Sequence, residues 1–526
     1  MVEVDAVVQR GLKDRVPFGC LDSAAHWQKR DLERLRHGRD VADDLSADNR
    51  RSQAVVSVLR RRRRQGINVV MRERDEHIHI RCPIHGTMPV SQRELRLIDH
   101  PAFQRLRNIK QLGFADLSFP GATHTRYSHS LGAMHVATRL FDRLFPARGD
   151  GTTPELPERV RARFRQTARL AMLFHDLGHA PLSHTTEVLM PAVGELGLGV
   201  FAGDDVRRRA SHEDYTLKIV LDSPLGHLIE QQFRDADILA KDVAELIVGA
   251  TWQGASSRFR HGGLDYAPVL RQIVSSECDA DRMDYLQRDS FYSGVNYGKF
   301  DADWLIDNVV AVEREGGVFM GIRARAIFSF EDFLLSRYHM FATVYLHYTP
   351  VIFEKMLAKY FETCIENGRP EFHLPADIEK YTNLDDMDLM LTLRKSKNPW
   401  ARRIIERKPF VLLDEQNDGH QQATTSVSHD VLGERLTDAG IPFIATRSRS
   451  VLSKYFDNKE KQPIFVVSSS SAKPVPLEDY TPLYARYQKP ATLGRVFVDP
   501  DRRVEARAVL KGLIDDIEGN APAGDA

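Results

Sequence analysis

Apolar residues recur at helical spacing through most of residues 127–365, and this periodicity constrains the fold more than any other feature of the chain. Leu170, Leu173, Phe174 and Leu177 form one such stripe; Phe333, Leu334, Tyr338, Phe341 and Tyr345 form another. A chain patterned this way buries its core between helices, so the expected fold class is mainly α. The texture differs on either side. Residues 1–75 are charge-dense, with a helix-like stretch at Trp27–Arg36 and a run of five arginines, Arg60–Arg64. Asp40, Asp43, Asp44 and Asp48 dilute that run, so a solvated helix face is its first reading, ahead of a phosphate or nucleic-acid contact. After residue 366, Ile464–Val467 and Val496–Val498 look like strands and Arg503–Ile514 like a helix. The expected organisation is a charged helical extension (1–75), a helical core (76–365) and a smaller α+β C-terminal region (366–526). Ser468–Ser471 and Gly519–Ala526 read as loop or tail.

Two local signals stand at the head of the core. His77-Ile78-His79-Ile80 alternates like a short strand, with Pro83 and Gly86 supplying a turn. Asp99 to Gly113 reads as one helix, with Asp99 at the N-cap, Pro101 in the first turn and Phe103, Leu106, Ile109 and Leu112 on its buried side.

Composition excludes several classes. Lys+Arg and Asp+Glu both number 73, so the chain as a whole is neither a basic polyanion binder nor an acidic solvating chain. Four scattered cysteines with no C-x-x-C pair argue against a disulfide framework or a thiolate zinc site and suit a reducing compartment. No stretch approaches a membrane span, so a soluble cytoplasmic protein is expected.

Histidine is unevenly spread: seven of the 20 fall in residues 124–212, where even spacing would put about three. Their placement carries the chemistry. His175-Asp176 closes the apolar run Leu170–Phe174 and is followed by Leu-Gly178-His179-Ala-Pro181-Leu-Ser-His184. Apolar packing desolvates the imidazole and carboxylate while Gly and Pro open the backbone beside them, and a divalent metal satisfies both groups. A hydrogen-bonded core pair is the plainer reading of His-Asp alone. His129 sits near the start of another helix, and Asp281, Tyr285 and Asp289 share one helical face at i, i+4 and i+8.

The order His129, His175-Asp176, Asp281 resembles the H…HD…D pattern of the HD-domain metal-dependent phosphohydrolases. Pro83-Ile-His-Gly86, Ile109-Lys-Gln-Leu-Gly113, Phe119-Pro-Gly-Ala122, and His175 through Pro181 to His184 narrow the likeness. They point to the branch of deoxynucleoside triphosphate triphosphohydrolases with sterile-alpha-motif and HD domains, and its bacterial relatives. The similarity covers about residues 80–360.

The resemblance implies that His129, His175, Asp176 and Asp281 hold a divalent transition metal: Fe, Mn, Co, Ni or Zn. It implies Mg for the substrate phosphates. It makes His212 the first choice as catalytic acid and His184 the second, with His179 beside them and Glu213 or Glu187 orienting one ring. Arg126, Arg282 and Arg337 become phosphate contacts, and Gln111, Leu112, Tyr285, Asp289 and Tyr345 the contacts of a deoxynucleoside. Asp99, Gln104 and Arg107 match residues holding a regulatory guanine nucleotide at a subunit contact, which implies a homo-oligomer. The chain departs from the family pattern at Phe341, where the relative has histidine, at Cys82, where it has aspartate, and at Arg282, where it has lysine.

The activity implied is hydrolysis of deoxynucleoside triphosphates to deoxynucleoside and inorganic triphosphate, by hydroxide attack on the α-phosphorus. The alternatives are an HD-type nucleotide phosphatase, phosphodiesterase or nuclease, and a non-catalytic nucleotide- or nucleic-acid-binding regulator.

Overall fold

A computed structural model describes residues 77–147, 155–199, 206–248, 258–417, 427–450, 463–468, 473–483 and 491–519. The Trp27–Arg36 stretch, the Arg60–Arg64 run, Ser469–Ser471 and 520–526 lie outside the described residues.

The chain opens with an antiparallel hairpin, Ile78–Cys82 against Gly86–Val90, whose turn uses Gly86 at φ +69. The expected strand at 78–80 is present. The helix expected at 99–113 is not continuous. Ser91 caps a helix at Gln92–Ile98, and Asp99 closes that helix at its C-cap instead of opening the next. His100 takes the N-cap role, its Nδ1 accepting the Ala102 N–H, and the following α-helix stops at Gln104. A 3-10 turn at Arg105–Asn108 follows. The backbone then extends, because Ile109 O accepts from Arg126 N and Gln111 N donates to His124 O. Pairing with a distant segment has displaced the local helix. Phe103, Leu106 and Ile109 are buried as expected, whereas Leu112 is only half-buried.

Seven helices position the site: α1 (Arg126–Leu144), α2 (Glu158–Phe174), α3 (His212–Leu221), α4 (Ala280–Ser293), α5 (Ile327–Met340), α6 (Tyr348–Glu366) and α7 (Asp386–Lys395). Leu131, Met134 and Leu140 of α1, Leu170 and Leu173 of α2, and Met283 and Leu286 of α4 meet in one large apolar core. Between α5 and α6 a π-helical turn, Phe341–Tyr345, shifts the register. Residues 378–405 are helical too and add Tyr381, Leu389, Leu393, Ala401 and Ile404 to that core.

The strands lie at the periphery. Val309–Arg314 and Gly317–Arg323 form a hairpin, and the latter also runs parallel to Phe465–Val467. A three-stranded antiparallel sheet has Ala491–Val498 between Val411–Asn417 and Phe443–Ser450. Helices His429–Asp438 and Arg503–Gly519 supply Leu432, Leu436, Ala506 and Leu513 to a second small core with Val496 and Val498 of this sheet. The fold is therefore mainly α, with α+β structure toward the C-terminal side. No helix among the described residues is long and apolar enough to cross a membrane.

Candidate metal centre and adjoining cavity

Helix geometry brings the distant histidines and acids together. His129 lies in the first turn of α1, His175 caps the C-terminus of α2, and Asp281 lies in the first turn of α4, whose N-cap is Asp279. Two glycines permit the approach. A Cβ on Gly132 would lie 2.0 Å from Asp284 Oδ1, and one on Gly178 would lie 1.9 Å from His212 O and 2.4 Å from Thr216 N. Only a residue without a side chain lets α1 meet α4, and the His175–His184 loop meet α3.

His129 Nε2 is 3.4 Å from His175 Nε2 and 3.0 Å from Asp281 Oδ1, and His175 Nε2 is 3.4 Å from the same oxygen. Asp176 flanks them, with Oδ1 3.3 Å from His175 Nε2 and Oδ2 3.7 Å from His129 Nε2. The tautomers follow from the outer partners. His175 Nδ1 is 2.7 Å from Met172 O, a carbonyl that only accepts, so Nδ1 carries the proton. His129 Nδ1 is 2.8 Å from Asp284 Oδ2, an ionised acceptor. Both Nε2 lone pairs therefore point at each other and at carboxylate oxygens. His129, His175 and Asp281 bring donor atoms close together with Asp176 flanking them, a set that is stable around a cation, and these residues fit a divalent metal.

The field agrees. Burial disfavours charge on His129, but hydrogen bonds to Asp281 and Asp284 outweigh it and push its pKa up to about 10. Burial would raise Asp176, yet Arg126 and the neighbouring histidines hold it well below the usual carboxylate range. Asp281 is lowered in the same way, against burial, by His129 and His175. Arg126 reaches Asp176 Oδ2 at 2.5 Å and Ser183 Oγ at 3.0 Å.

A second group adjoins the first. His179, His184, Glu187 and His212 place one donor atom each within 4.8 Å of one another. Glu187 Oε1 meets His184 Nδ1 at 2.9 Å and His212 Nδ1 at 2.7 Å, and the His179 and His212 rings stack at 4.0 Å. Burial raises the Glu187 carboxyl, but its two histidine bonds outweigh that and bring it to about 2. Burial, then Arg126 and His212, hold His179 well below the usual imidazole value. His212 is the first residue of α3, and Asp214 accepts the Ser211 N–H, so the helix start and the cavity wall coincide.

Both groups face a cavity of about 630 Å³. Gln111, Leu112, Arg126, Arg282, Tyr285, Asp289, Arg337 and Tyr345 all line it, as do His175, Asp176, Asp281, His179, His184 and His212. His129 is fully buried behind the wall. Phe341 also lines the cavity, with Arg337 stacked over its ring. Asp289 is bracketed, Oδ1 by His124 at 2.7 Å and Oδ2 by the Tyr345 hydroxyl at 2.8 Å. Arg282 pairs with Asp279, and Arg337 lies 3.5 Å from Glu277. Asp99, Gln104 and Arg107 are elsewhere: Gln104 donates to Ile98 O and accepts from Arg107, whose guanidinium covers Tyr127 at 3.6 Å.

Sequence reasoning missed the supporting residues. Asp284 holds His129 while receiving His85 Nε2 at 2.6 Å and both arms of Arg288. The i, i+4 spacing of Asp284 and Arg288 was a signal for the pair, but nothing in the sequence aimed it at His129.

A family model described as HD domain matches residues 126–289, and one described as HD associated region matches 300–411. The chain thus carries an HD domain followed by an HD-associated region over these residues. An uncharacterised protein of Methanocaldococcus jannaschii is 30% identical over 63% of this chain and 58% of its own. The deoxynucleoside triphosphate triphosphohydrolase SAMHD1 homologue of Dictyostelium discoideum is 28% identical over 66% of this chain and 63% of its own. The crystal structure of a hypothetical protein from Aquifex aeolicus matches with TM-score 0.62 at 28% identity, covering 82% of this chain and 100% of that one. The chain spans 51–63% of the length of these curated relatives and of an uncharacterised Bacillus subtilis protein. The HD-domain match and the clustered His/Asp donors together identify an HD phosphohydrolase fold whose donor set fits a divalent metal.

Proposed function

We propose that this chain is a metal-dependent deoxynucleoside triphosphate triphosphohydrolase. The observation that carries the reading is one cavity lined by two chemically distinct sets of side chains. One set is His175, Asp176 and Asp281 with His179, His184, His212 and Arg126; the other is Tyr285, Tyr345 and Asp289. The first suits a polyphosphate and the second a sugar. The name of the Dictyostelium relative supports the same substrate class.

His129, His175, Asp176 and Asp281 would hold the metal, and a divalent ion bound there polarises water and phosphoryl oxygens. The remaining steps belong to the chain. Arg126, Arg282 and Arg337 neutralise phosphate oxygens, with Mg as their counter-ion partner on the substrate. Glu187 fixes Nδ1 of His212 and His184, leaving each Nε2 free to protonate the departing 5′-oxygen, and His179 packs beneath His212. Tyr345, held by Asp289, closes the space beside the sugar carbon that carries a hydroxyl in ribonucleotides, while Gln111 and Leu112 cover the other side. Water adds to the α-phosphorus as its bond to the 5′-oxygen breaks, giving deoxynucleoside and inorganic triphosphate.

Asp99, Gln104 and Arg107 lie outside this cavity, and an activating guanine nucleotide at a homo-oligomer contact is part of the same proposal. The test is chromatography of products from all four deoxynucleotides and four ribonucleotides with each candidate metal, with and without guanine nucleotide. Inorganic triphosphate from deoxynucleotides alone is expected. Orthophosphate or nucleoside monophosphate as the product would replace this reading with a phosphatase or phosphodiesterase.

A further inference from the structure

The loop after the HD motif is held in a disfavoured shape. Leu182 and Ser183 are consecutive non-glycine residues in the left-handed region, at φ +54 and +57, immediately before His184. Such residues persist only where their surroundings over-determine them. Ser183 Oγ donates to Lys110 O at 3.1 Å and accepts from Arg126, which ties the loop to the Lys110–Leu112 edge of the cavity. The other constraints come from about 200 residues further on, in the region matched as HD-associated.

That segment makes five hydrogen bonds and one ring contact in six residues. The Tyr381 hydroxyl donates to Gly178 O at 2.5 Å, and its ring stacks under the Arg105 guanidinium at 4.9 Å. Arg105 bridges Leu384 O at 2.6 Å to Leu177 O at 3.3 Å. Asn108 donates to Asp385 at 2.7 Å. Asp386, 6% exposed, spends both carboxylate oxygens on backbone: Oδ1 accepts from Leu182 N at 2.7 Å and Oδ2 from Lys110 N at 2.9 Å. A charge buried on two amides of two different loops fixes their separation and orientation.

We propose that Tyr381–Asp386 is a latch, with Asp386 its central positioning residue, that sets the His179–His184 loop against the Gln111–Leu112 edge for catalysis. The role in catalysis rests on the function proposed above; the structural coupling does not. The latch gives the HD-associated region, which already lends Arg337 and Tyr345 to the cavity, a second tie to the site through a segment that itself lines none of it.

The test combines hydrogen exchange with kinetics on the full metal-loaded chain. In Asp386→Ala, peptides spanning 108–113 and 178–186 exchange on the order of tenfold faster or more, while α1 and α2 keep their protection and metal content is unchanged. Triphosphate release then loses more in kcat than in KM, because the loop carries His179 and His184. Should Asp386→Ala fail to fold, Asp386→Asn decides: it keeps one acceptor oxygen, so exchange rises in one of the two peptides. Wild-type exchange in both peptides for the folded variant overturns the latch, as does faster exchange with unchanged kcat and KM. A wild-type chain that releases no triphosphate from any deoxynucleotide refutes the function, and the exchange data still decide the structural coupling.

Discussion

The two histidine groups sit back to back, sharing Asp176, whose Oδ1 is 3.3 Å from both His175 Nε2 and His179 Nε2, yet they are built for opposite tasks. In the HD group every outer nitrogen is anchored, His129 by Asp284 and His175 by Met172 O, and acidic neighbours favour positive charge at the centre. In the second group burial, Arg126 and His212 keep His179 neutral, His184 is exposed, and one Glu187 oxygen serves two rings. The first arrangement fits a cation held without movement. In the proposed function the second presents ring nitrogens to an anionic ligand.

Removing a ligand from the fixed group gives the largest effect. Asp176→Ala leaves Arg126 without its carboxylate partner and the donor set incomplete, so metal content falls and turnover drops by about 10³-fold or more. Elemental analysis with a triphosphate assay measures both; full activity with no bound metal would end the proposed division of labour. His212→Gln probes the other group. It retains metal and loses about 10²–10⁴-fold in kcat, the usual worth of general acid catalysis. Loss of metal in this variant would show that the two groups are one.

The division explains what could be read from the sequence. The set of four HD residues was read from its resemblance to the H…HD…D pattern; His129 and His175-Asp176 also lie where a helix begins or ends, and such positions carry capping and apolar signals that a sequence displays. Apolar runs marked the strand at 465–467 and the last three residues, Val496–Val498, of the strand at 491–498, and the helix from Arg503 was legible too. The helix from Asp99 was misread because His100 and Pro101 restart the chain and Ile109–Gln111 pairs with 124–126, a long-range choice with no local mark. Asp284 and Asp386 were missed for the same reason: their partners are 155, 204 and 276 residues away.

Acid separates scaffold from site. Glu94, in the Gln92–Ile98 helix, is buried against α2, and burial alone would raise its pKa. Arg169, at 2.6 Å, with the Ser91 amide and Gln166, outweighs burial and brings it to about 2, below its ordinary 4.5. The folded form thus binds fewer protons than the unfolded one between those values. The stabilisation, about 3 kcal/mol, is complete above pH 4.5 and is lost as pH falls toward 2. Denaturant melts from pH 7 to 3 should show a decline that Glu94→Gln flattens; parallel profiles would refute the assignment. Any loss of turnover above pH 4.5 then belongs to the site and not to this pair.

The smallest effect sharpens the contrast most. Asp284→Asn keeps the size of the side chain but withdraws the negative charge that holds His129 Nδ1–H, and it leaves the fully buried Arg288 with a neutral partner. His129 then becomes a weaker and less well-oriented donor, although none of the four donors has changed. Outer partners of this kind are worth about 10–100-fold in metal affinity, which titration of the metal-free chain reads directly. Because Asp284 faces His129 and His85 and none of the cavity histidines, kcat at saturating metal should fall far less than in His212→Gln. An unchanged metal affinity would mean that the packing of α1 on α4, through Gly132, orients His129 without help from the carboxylate.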